Sequence, residues 1–443
     1  MPADATQGLA NSWLPFTPNR YFKTRPKVLA KAEGAYYTLA DGRRVFDCLS
    51  GLWCVPLGHG HPKIAEALAE QIRTLDYATA FQFTSPVTLR LAEKVAALAP
   101  DGLNRVFFTN SGSEAADTAL KMAIGYHRVR GQGQRTRLIG RERGYHGVGF
   151  GGMSVGGMTA NRKMFGSVML PGVDHIRHTH DPAQMAFSRD QPEWGAHLAD
   201  DLERLVTLHD ASTIAAVIVE PMAGSTGVLA PPIGYLERLR AICDQHGILL
   251  IFDEVITGFG RMGTAFAAQR FGVTPDLLTF AKGVTNGVIP MGGVIASDAI
   301  YDTFMGADAP AHAVEFFHGY TYSGHPMAAA AGVAALDIMQ SEDVFARVRE
   351  LEPILADAVH ALKGIPGVLD IRNSGLAAGI DLQGIPGKPG LRAMQCFELA
   401  LDKGMQIRTT GDTIAVGPPF ISTPQEINRM GQVLHDLVRE TAV

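Results

Sequence analysis

The sequence predicts an α/β protein with a large domain, built on a mainly parallel sheet flanked by helices, and a smaller α+β domain. Strand-like and helix-like segments alternate between residues 105 and 296, which is typical of such a sheet. Two short apolar runs, 248–252 and 277–281, are bounded by turn residues, as strands buried on both faces are. After residue 326 an Ala-rich helix and short strand-like runs follow, which indicates a second, smaller domain.

The elements before the sheet are predicted to be a hairpin and a helix. Two strand-like runs flank Asp41-Gly42, a dipeptide that favours a tight hairpin turn. A loop over 51–62 follows. Apolar residues at helical spacing then predict a helix over 63–75.

Six strands and three further helices are predicted between residues 105 and 296. The strands cover residues 105–109, 136–140, 214–219, 248–252, 277–281 and 292–296. The helices cover 115–129, 202–208 and 233–246, and Gly247 ends the last of them.

The smaller domain is predicted from the pattern of the C-terminal third. Its helices cover 327–340, 345–362 and 424–438, and its strands cover 369–372, 406–409 and 413–416. We therefore divide the chain into an N-terminal segment, 1–62, that joins the small domain, a large domain, 63–322, and a C-terminal small domain, 323–443.

Two charged residues stand at the ends of the two buried strands of the large domain. Asp253 follows the first strand and Lys282 the second. Ligands bind at the carboxyl edge of open α/β sheets. An amine that can form a Schiff base and an acid that keeps a ring nitrogen protonated suit pyridoxal phosphate. Taken singly, Asp253 is better interpreted as a turn cap and Lys282 as a solvated charge, but the pair favours a cofactor site.

The turn after the first strand of the large domain is a candidate phosphate site. Residues 110–114 (NSGSE) are small and lead into a predicted helix, so free backbone N–H groups lie at the positive end of its dipole. Ser113 could add a hydroxyl. A simple serine N-cap accounts for the same residues, and the two roles are compatible.

The glycine-dense run after residue 146 raises a second cofactor hypothesis. Gly147, Gly149 and Gly152 match the spacing of a dinucleotide-binding G-x-G-x-x-G motif. Several residues separate this run from the preceding strand, and no clear helix is predicted after it. The context therefore disfavours a nicotinamide site.

Two groups of histidines have the composition of a metal site without its spacing. His59 and His61 form one group, and His175, His178 and His180 form the other. Neither has the helical i, i+4 spacing with a carboxylate that H-E-x-x-H motifs have. We interpret both groups as surface or loop histidines and predict no metal.

Composition excludes several classes of protein. Of the 443 residues only 19% are charged, with a net charge of −5 and no basic cluster, so no nucleic-acid partner is expected. The four cysteines form no C-x-x-C pair. No signal peptide and no apolar run of membrane-spanning length occurs, which predicts a soluble, cytoplasmic protein without a membrane partner.

These motifs together resemble those of the class III (subgroup II) pyridoxal-phosphate aminotransferases. The resemblance rests on DEVITGFGR at 253–261 and FAKG at 280–283, supported by FFTNSGSEAADTALK at 107–121, GYHG at 144–147, VEPMAGSTGV at 219–228 and TYSGHP at 321–326. The segments 51–62 and 408–419 are similar to those of ω-amino acid:pyruvate (β-alanine:pyruvate) aminotransferases. The fold implied is fold type I of this enzyme class.

The resemblance also implies a role for individual residues. Lys282 and Asp253 would be catalytic, with Lys282 in the Schiff base and Asp253 on the pyridine nitrogen. The remaining cofactor-binding residues would be Ser111, Gly112, Ser113, Tyr145, His146, Glu220, Val255 and Thr321. The substrate-binding residues would be Trp53, Phe81, Tyr145 and Arg408.

Two implications concern partners and substrates. Thr321 would reach the cofactor of a partner subunit, which implies a homodimer at least and permits a tetramer. Relatives that use 2-oxoglutarate often carry a Glu where this chain has Ser225, so Arg408 should stay available to monocarboxylates such as pyruvate.

Other reactions of the same cofactor remain open from the sequence. They include 4-aminobutyrate or diamine aminotransferases, an aminomutase and a decarboxylating transaminase. A nicotinamide-dependent oxidoreductase is the more distant alternative.

Overall fold

The computed structural model describes residues 6–442, and three sheets organise this part of the chain. The strands are β1 (Leu29–Glu33), β2 (Tyr36–Leu39), β3 (Arg44–Asp47), β4 (Leu103–Thr109), β5 (Arg137–Arg141), β6 (Val173–Ile176), β7 (Ile214–Val219), β8 (Leu249–Asp253), β9 (Leu277–Phe280), β10 (Gly292–Ser297), β11 (Val368–Asn373), β12 (Ala378–Leu382), β13 (Met405–Gln406), β14 (Arg408–Thr410) and β15 (Thr413–Val416).

The helices surround these sheets. They are α1 (Asn19–Phe22), α2 (Ser50–Trp53), α3 (Pro62–Thr74), α4 (Pro86–Leu98), α5 (Gly112–Val129), α6 (Phe150–Val155), α7 (Thr159–Phe165), α8 (Pro182–Met185), α9 (Asp201–His209), α10 (Tyr235–His246), α11 (Ala267–Phe271), α12 (Asp298–Met305), α13 (Pro326–Ser341), α14 (Val344–His360), α15 (Leu391–Asp402) and α16 (Pro424–Glu440). Short 3₁₀ turns cover Gly166–Val168, Ala196–Asp200, Ala211–Thr213 and Lys282–Thr285.

The central sheet has seven strands in the order β4-β10-β9-β8-β7-β5-β6. All neighbouring pairs are parallel except those that β10 makes with β4 and β9. Every residue of β7, β8 and β9 is buried, because helices cover both faces of the sheet; apart from Asp253 and Thr279 these residues are apolar. The mainly parallel sheet flanked by helices is therefore confirmed.

The register of β8 and β9 positions the predicted catalytic pair. The two strands are parallel neighbours, and Asp253 lies opposite Thr279. Since parallel strands end at the same edge, Asp253 and Lys282 leave the sheet side by side, as predicted.

The two smaller sheets combine both ends of the chain. One has the order β1-β2-β3-β13, in which β3 from the N-terminal part pairs in parallel with β13. The other, β11-β12-β15-β14, is antiparallel throughout. This pairing supports an N-terminal segment joined to the C-terminal part; the domain boundaries at 62 and 322 stay a prediction.

Several elements differ from the sequence expectation. The single strand predicted over 406–409 is divided between β13 and β14, which belong to different sheets, with the buried Ile407 between them. Helix α5 begins at Gly112 rather than residue 115, because Ser111 caps it by accepting a hydrogen bond from the Glu114 N–H. Strands β1, β6 and β12 and helices α1, α2, α4, α6, α7, α8, α12 and α15 were not predicted.

Within residues 6–442, no helix combines the length and apolar character that crossing a membrane requires.

Candidate active site

A cavity of about 110 Å³ lies at the carboxyl edge of the central sheet. Its lining combines the ends of β8 and β9 with the N-terminus of α5 and two connecting loops. The lining residues are Gly112, Ser113, Tyr145, His146, Gly147, Glu220, Asp253, Val255, Ile256, Ala281 and Lys282. Eight of these were predicted from the sequence, and the structure brings those eight together.

Lys282 enters the cavity from a strained backbone position. It is the first residue of the 3₁₀ turn after β9 and has φ of 49°. This backbone conformation is unfavourable for a lysine and persists only where the surrounding structure imposes it. Burial lowers the pKa of its amine, opposed by Cys54, Asp253 and Glu220. Within residues 6–442 this amine has no hydrogen bond or ion pair, so it is available to a ligand.

Asp253 is held from three directions. Its Oδ2 lies 2.8 Å from His146 Nδ1, and its Oδ1 accepts hydrogen bonds from the Val255 N–H at 3.1 Å and the Thr279 hydroxyl at 3.2 Å. Asp253 is 5% exposed. The carboxylate is thus fixed in a buried place, where its charge acts with little screening by water.

His146 and Glu220 extend this polar group. His146 Nε2 is buried and has no hydrogen-bond partner among the described residues. Glu220 accepts hydrogen bonds from the N–H groups of Tyr145 and Gly224 at 2.9 and 3.1 Å. Burial raises the pKa of Glu220, an effect that nearby Asp253 adds to and His146 opposes.

The start of α5 has the shape of an anion site. At Gly112 a Cβ would lie 2.9 Å from both methyl groups of Val255, so only glycine fits there. Gly147 has φ of 89°, and a Cβ on it would lie 2.5 Å from Ser113 Cα. Backbone and small side chains therefore meet at the positive end of an 18-residue helix, where a phosphate is stabilised.

Together these groups fit pyridoxal phosphate. The unpartnered amine of Lys282, the fixed carboxylate of Asp253 and the glycine-lined helix start are separate groups on the walls of one cavity. Tyr145 and Val255 add flat and branched apolar surface to the same walls. An amine, a carboxylate and a helix N-terminus suit a cofactor that has an aldehyde, a ring nitrogen and a phosphate.

Five predicted residues lie outside the cavity lining. Ser111 caps α5, and Trp53 is buried against Gly417. Phe81 is 58% exposed and lines a separate cavity. Thr321 is exposed, and its carbonyl accepts a hydrogen bond from the Tyr77 hydroxyl at 3.0 Å.

Arg408 is the fifth of these residues and opens β14 with an exposed side chain. Partial burial lowers the pKa of its guanidinium, against the opposing effect of Tyr145. Within residues 6–442 it makes no ion pair with a carboxylate.

Three residues of the candidate site were not predicted from the sequence. Ile256 and Ala281 line the cavity, and Thr279 hydrogen-bonds Asp253. Thr279 interrupts an otherwise apolar run, which was the available signal. Its partner could be identified only from the register of β8 and β9.

The glycine run is explained by packing rather than by a dinucleotide. A Cβ on Gly151 would lie 2.7 Å from Asp117 Oδ1, and Gly149 and Gly152 also pack against Asp117 on α5. Only the six-residue α6 follows the run. The strand–turn–helix context of a nicotinamide site is not formed there.

One histidine group differs in part from the expectation, because His175 lies in strand β6 whereas His178 and His180 lie in the loop after it. His180 is buried, not at the surface, and its Nε2 lies 3.7 Å from an Asp370 oxygen and 3.6 Å from an Asp381 oxygen. These three side chains have the ligand types of a metal site. Arg372, however, pairs with both carboxylates at 2.7 and 2.8 Å and already compensates one of their two negative charges. In the other histidine group, His59 Nε2 lies 2.9 Å from Oδ2 of Asp47.

Comparison with known proteins places the chain in a family. The family model described as Aminotransferase class-III matches residues 19–438. An ω-aminotransferase of Caulobacter vibrioides is 58% identical, with 98% of each chain covered. An ω-amino acid–pyruvate aminotransferase of Pseudomonas putida is 51% identical, covering 99% of this chain and 100% of the relative.

Solved structures of transaminases superpose on almost the whole chain. An (S)-enantioselective ω-transaminase from Thermomicrobium roseum has a TM-score of 0.92 at 33% identity, covering 99% of this chain and 98% of that one. An ω-transaminase from Pseudomonas jessenii in complex with PMP has a TM-score of 0.91 at 30% identity, with the same coverage. The chain therefore belongs to the class-III aminotransferases and is a pyridoxal-phosphate-dependent enzyme.

Proposed function

We propose that this aminotransferase transfers an amino group from an ω-amino acid or amine of the β-alanine type to pyruvate. The products are L-alanine and an oxo acid or aldehyde. A β-alanine–pyruvate aminotransferase of Pseudomonas aeruginosa, 53% identical over 97% of this chain and 95% of the relative, supports the substrate pair. The observation that carries the proposal is one cavity with the free amine of Lys282 and the fixed carboxylate of Asp253 on its walls.

Bound pyridoxal phosphate supplies an electron sink conjugated to the substrate nitrogen. Lys282 moves the proton at the substrate carbon, and its burial favours the neutral amine that this transfer needs. Asp253 holds a positive charge on the ring nitrogen, and His146 fixes the orientation of Asp253. The start of α5 with Gly112 and Ser113 would bind the phosphate, and Tyr145 and Val255 would contact the ring.

Arg408 and Ser225 are the basis for choosing pyruvate as acceptor. A guanidinium binds a carboxylate in bidentate fashion, and the described chain offers Arg408 no acidic partner. In the segment after Glu220 this chain has Ser225 at the position where, by the resemblance, relatives that use 2-oxoglutarate carry a Glu that would neutralise the arginine between substrates. A monocarboxylate therefore meets a free Arg408 at every turnover.

The proposal includes self-association. Apolar side chains are exposed around Thr321: Phe83 is 70% exposed, Phe317 90% and Tyr322 57%. Surface of this kind marks a protein–protein contact. We place Thr321 at the cofactor phosphate of a partner subunit in a homodimer, and we assign the protein to the cytoplasm.

Initial rates with paired substrates test the proposal. β-Alanine, 4-aminobutyrate, putrescine and an aryl amine are each supplied with pyruvate, and then with 2-oxoglutarate. We expect L-alanine to form with pyruvate and much slower turnover with 2-oxoglutarate. Equal rates with the two acceptors would contradict the interpretation of Ser225. Amino transfer without any second substrate, or release of carbon dioxide, would indicate a mutase or a decarboxylating enzyme instead.

A further inference from the structure

A short hairpin, residues 223–229, comes a few residues after β7 and adjoins the cavity at the carboxyl edge of the central sheet. The N–H and carbonyl groups of Ala223 and Leu229 bond to each other at 3.0 and 2.9 Å, which closes the hairpin at its base. At Gly224 a Cβ would lie 2.7 Å from Cδ1 of Ile256, which lines the cavity. The hairpin therefore packs directly on a wall of the cavity.

The base of the hairpin holds Glu220 in place. The Gly224 N–H donates a hydrogen bond to Glu220 Oε2 at 3.1 Å, and the Tyr145 N–H donates one to Oε1 at 2.9 Å. Both oxygens of this cavity-lining carboxylate are thus fixed by backbone groups. Since Glu220 is 4% exposed, its charge acts on the Lys282 amine with little screening by water.

The tip of the hairpin is bound by two arginines that do not line the cavity. Nη2 of Arg143 donates a hydrogen bond to the Thr226 carbonyl at 3.0 Å. Nε of Arg372 donates one to the next carbonyl, that of Gly227, at 2.7 Å. Val228 follows with φ of 60°, a conformation that is unfavourable for a β-branched residue and persists only where contacts impose it. The two guanidiniums supply such contacts.

Arg372 is itself oriented by two carboxylates. Its Nη1 lies 2.7 Å from Oδ2 of Asp370 and 2.9 Å from Oδ2 of Asp381, and its Nη2 lies 2.8 Å from Oδ1 of Asp381. These bonds fix the plane of the guanidinium and leave Nε facing the hairpin. A lysine ammonium at this position would keep the charge, but it has no second donor group fixed toward Gly227.

We infer that Arg372 and Arg143 are positioning residues, which act on the reaction by holding the hairpin and, through it, the Glu220 carboxylate at the cavity. Because the hairpin is fixed at its tip and at its base, the Gly224 N–H stays within hydrogen-bond distance of Glu220. Loss of a tip contact loosens this bond and with it the placement of the negative charge beside Lys282. The role rests on the proposed function, in which Lys282 moves the proton at the substrate carbon.

A double-mutant cycle of Arg372→Lys and Glu220→Gln tests this role with β-alanine and pyruvate as substrates. We expect each single substitution to lower kcat at least about fivefold while KM for pyruvate stays within about twofold, since small misplacements near reacting groups cost such factors. In the Glu220→Gln background, Arg372→Lys should lower kcat less than about twofold, because the positioned charge is already absent. Single-turnover absorbance of the bound cofactor after mixing with β-alanine extends the measurement to slow variants.

Arg270→Lys is the matched control. Arg270 also joins two carboxylates, those of Asp190 and Glu352, to a backbone carbonyl, that of Met262. None of these hydrogen bonds goes to residues 223–229. The control should therefore leave kcat within about twofold of the wild type, and thermal unfolding shows whether it is destabilised as much as Arg372→Lys.

Three results overturn the inference and leave the proposed function intact. They are an equal fall of kcat in Arg270→Lys and Arg372→Lys, an equal effect of Arg372→Lys in both backgrounds, and a normal kcat in Glu220→Gln. A wild type inactive with β-alanine and pyruvate overturns the proposed function and the inference together. If Arg372→Lys does not fold, Arg143→Met, at a half-buried site, replaces it in the cycle and decides by the same criteria.

Discussion

At the scale of single residues, two opposite effects act on the groups of the active site. Burial lowers the pKa of the Lys282 amine, whereas the carboxylates of Asp253 and Glu220 raise it. Burial is the larger effect, so the amine stays neutral more readily than a solvated lysine. Three hydrogen bonds fix the two oxygens of Asp253, and this fixed carboxylate supports its proposed role beside a positively charged ring nitrogen.

Replacing Lys282 by alanine tests its assignment. We expect Lys282→Ala to reduce kcat at least about 1,000-fold, because the proton transfer loses its base, while the cofactor still binds without a covalent bond. Turnover and the absorbance of bound cofactor after gel filtration are the measurements. Lys163→Ala, at an exposed site without a described partner, is the control. Near-normal turnover by Lys282→Ala would refute the assignment.

Glu254 gives a pH-dependent prediction. Burial raises the pKa of its carboxyl to about 7 from 4.5, against hydrogen bonds from the Ala268 and Ala267 N–H groups. Between pH 4.5 and 7 the folded state therefore binds more protons than the unfolded state. Its stabilising contribution is complete below this window and is lost as the pH rises through it.

We expect the unfolding temperature of the cofactor-free protein to fall between about pH 5 and 7.5, and to fall less in Glu254→Gln. Thermal unfolding across this range is the measurement. Glu93→Gln, at an exposed site, should keep the wild-type slope. A Glu254→Gln slope as steep as that of the wild type would show that Glu254 does not titrate in this range.

At the scale of elements, the small sheet holds a loop next to the active site. Arg372 on β11 pairs with Asp370 and Asp381, and its Nε donates a hydrogen bond to the Gly227 carbonyl at 2.7 Å. Gly227 belongs to the segment that contains Ser225. The antiparallel sheet β11-β12-β15-β14 thus supports both this loop and Arg408.

Gly379 on β12 makes this close approach possible. A Cβ on Gly379 would overlap the Gly227 carbonyl oxygen. We expect Gly379→Ala to lower the free energy of unfolding by about 1–3 kcal/mol, since overpacking displaces backbone. Denaturant unfolding measures the change. Gly166→Ala, where a Cβ would meet open space, should stay within about 0.5 kcal/mol of the wild type. Equal effects of the two substitutions would contradict the steric argument.

At the scale of the whole molecule, a site shared between subunits can be tested by complementation. Lys282→Ala removes the base, and Thr321→Glu places a negative charge where a partner's phosphate should lie. If Thr321 acts across a dimer, a hybrid of these two inactive variants holds one complete site. Refolding or exchanging equal amounts should then restore about a quarter of the wild-type activity, because half of the dimers are hybrids with one of two sites intact.

The controls for this experiment are the two variants refolded separately. Each alone should stay inactive at the same protein concentration. If the mixture is as inactive as its components while sedimentation shows mixed dimers, Thr321 does not act on the partner's site.

Local patterns were sufficient to predict much of the fold and the position of the proposed catalytic pair, Asp253 and Lys282, at the ends of neighbouring strands. Strand β7 is apolar throughout, and β9 is apolar apart from Thr279, because both are buried on both faces, so their composition alone identifies them. By contrast, β12 (AGIDL) contains a glycine and a charge, and its place in a sheet depends on β11 and β15 on either side. It was not predicted because its own composition does not indicate a strand and because β15, one of its two partners, is separated from it by helix α15 and by β13 and β14.

The sequence by itself determined that Asp253 and Lys282 end buried strands and that Ser113 stands at a helix start. These are consequences of hydrophobic burial and helix capping, which act over a few residues. Only the tertiary structure decided three further contacts. His146 hydrogen-bonds Asp253, and Trp53 packs against Gly417. Arg408 has no acidic partner among the residues that the structure describes. Such contacts join residues far apart along the chain, and close packing in three dimensions selects them.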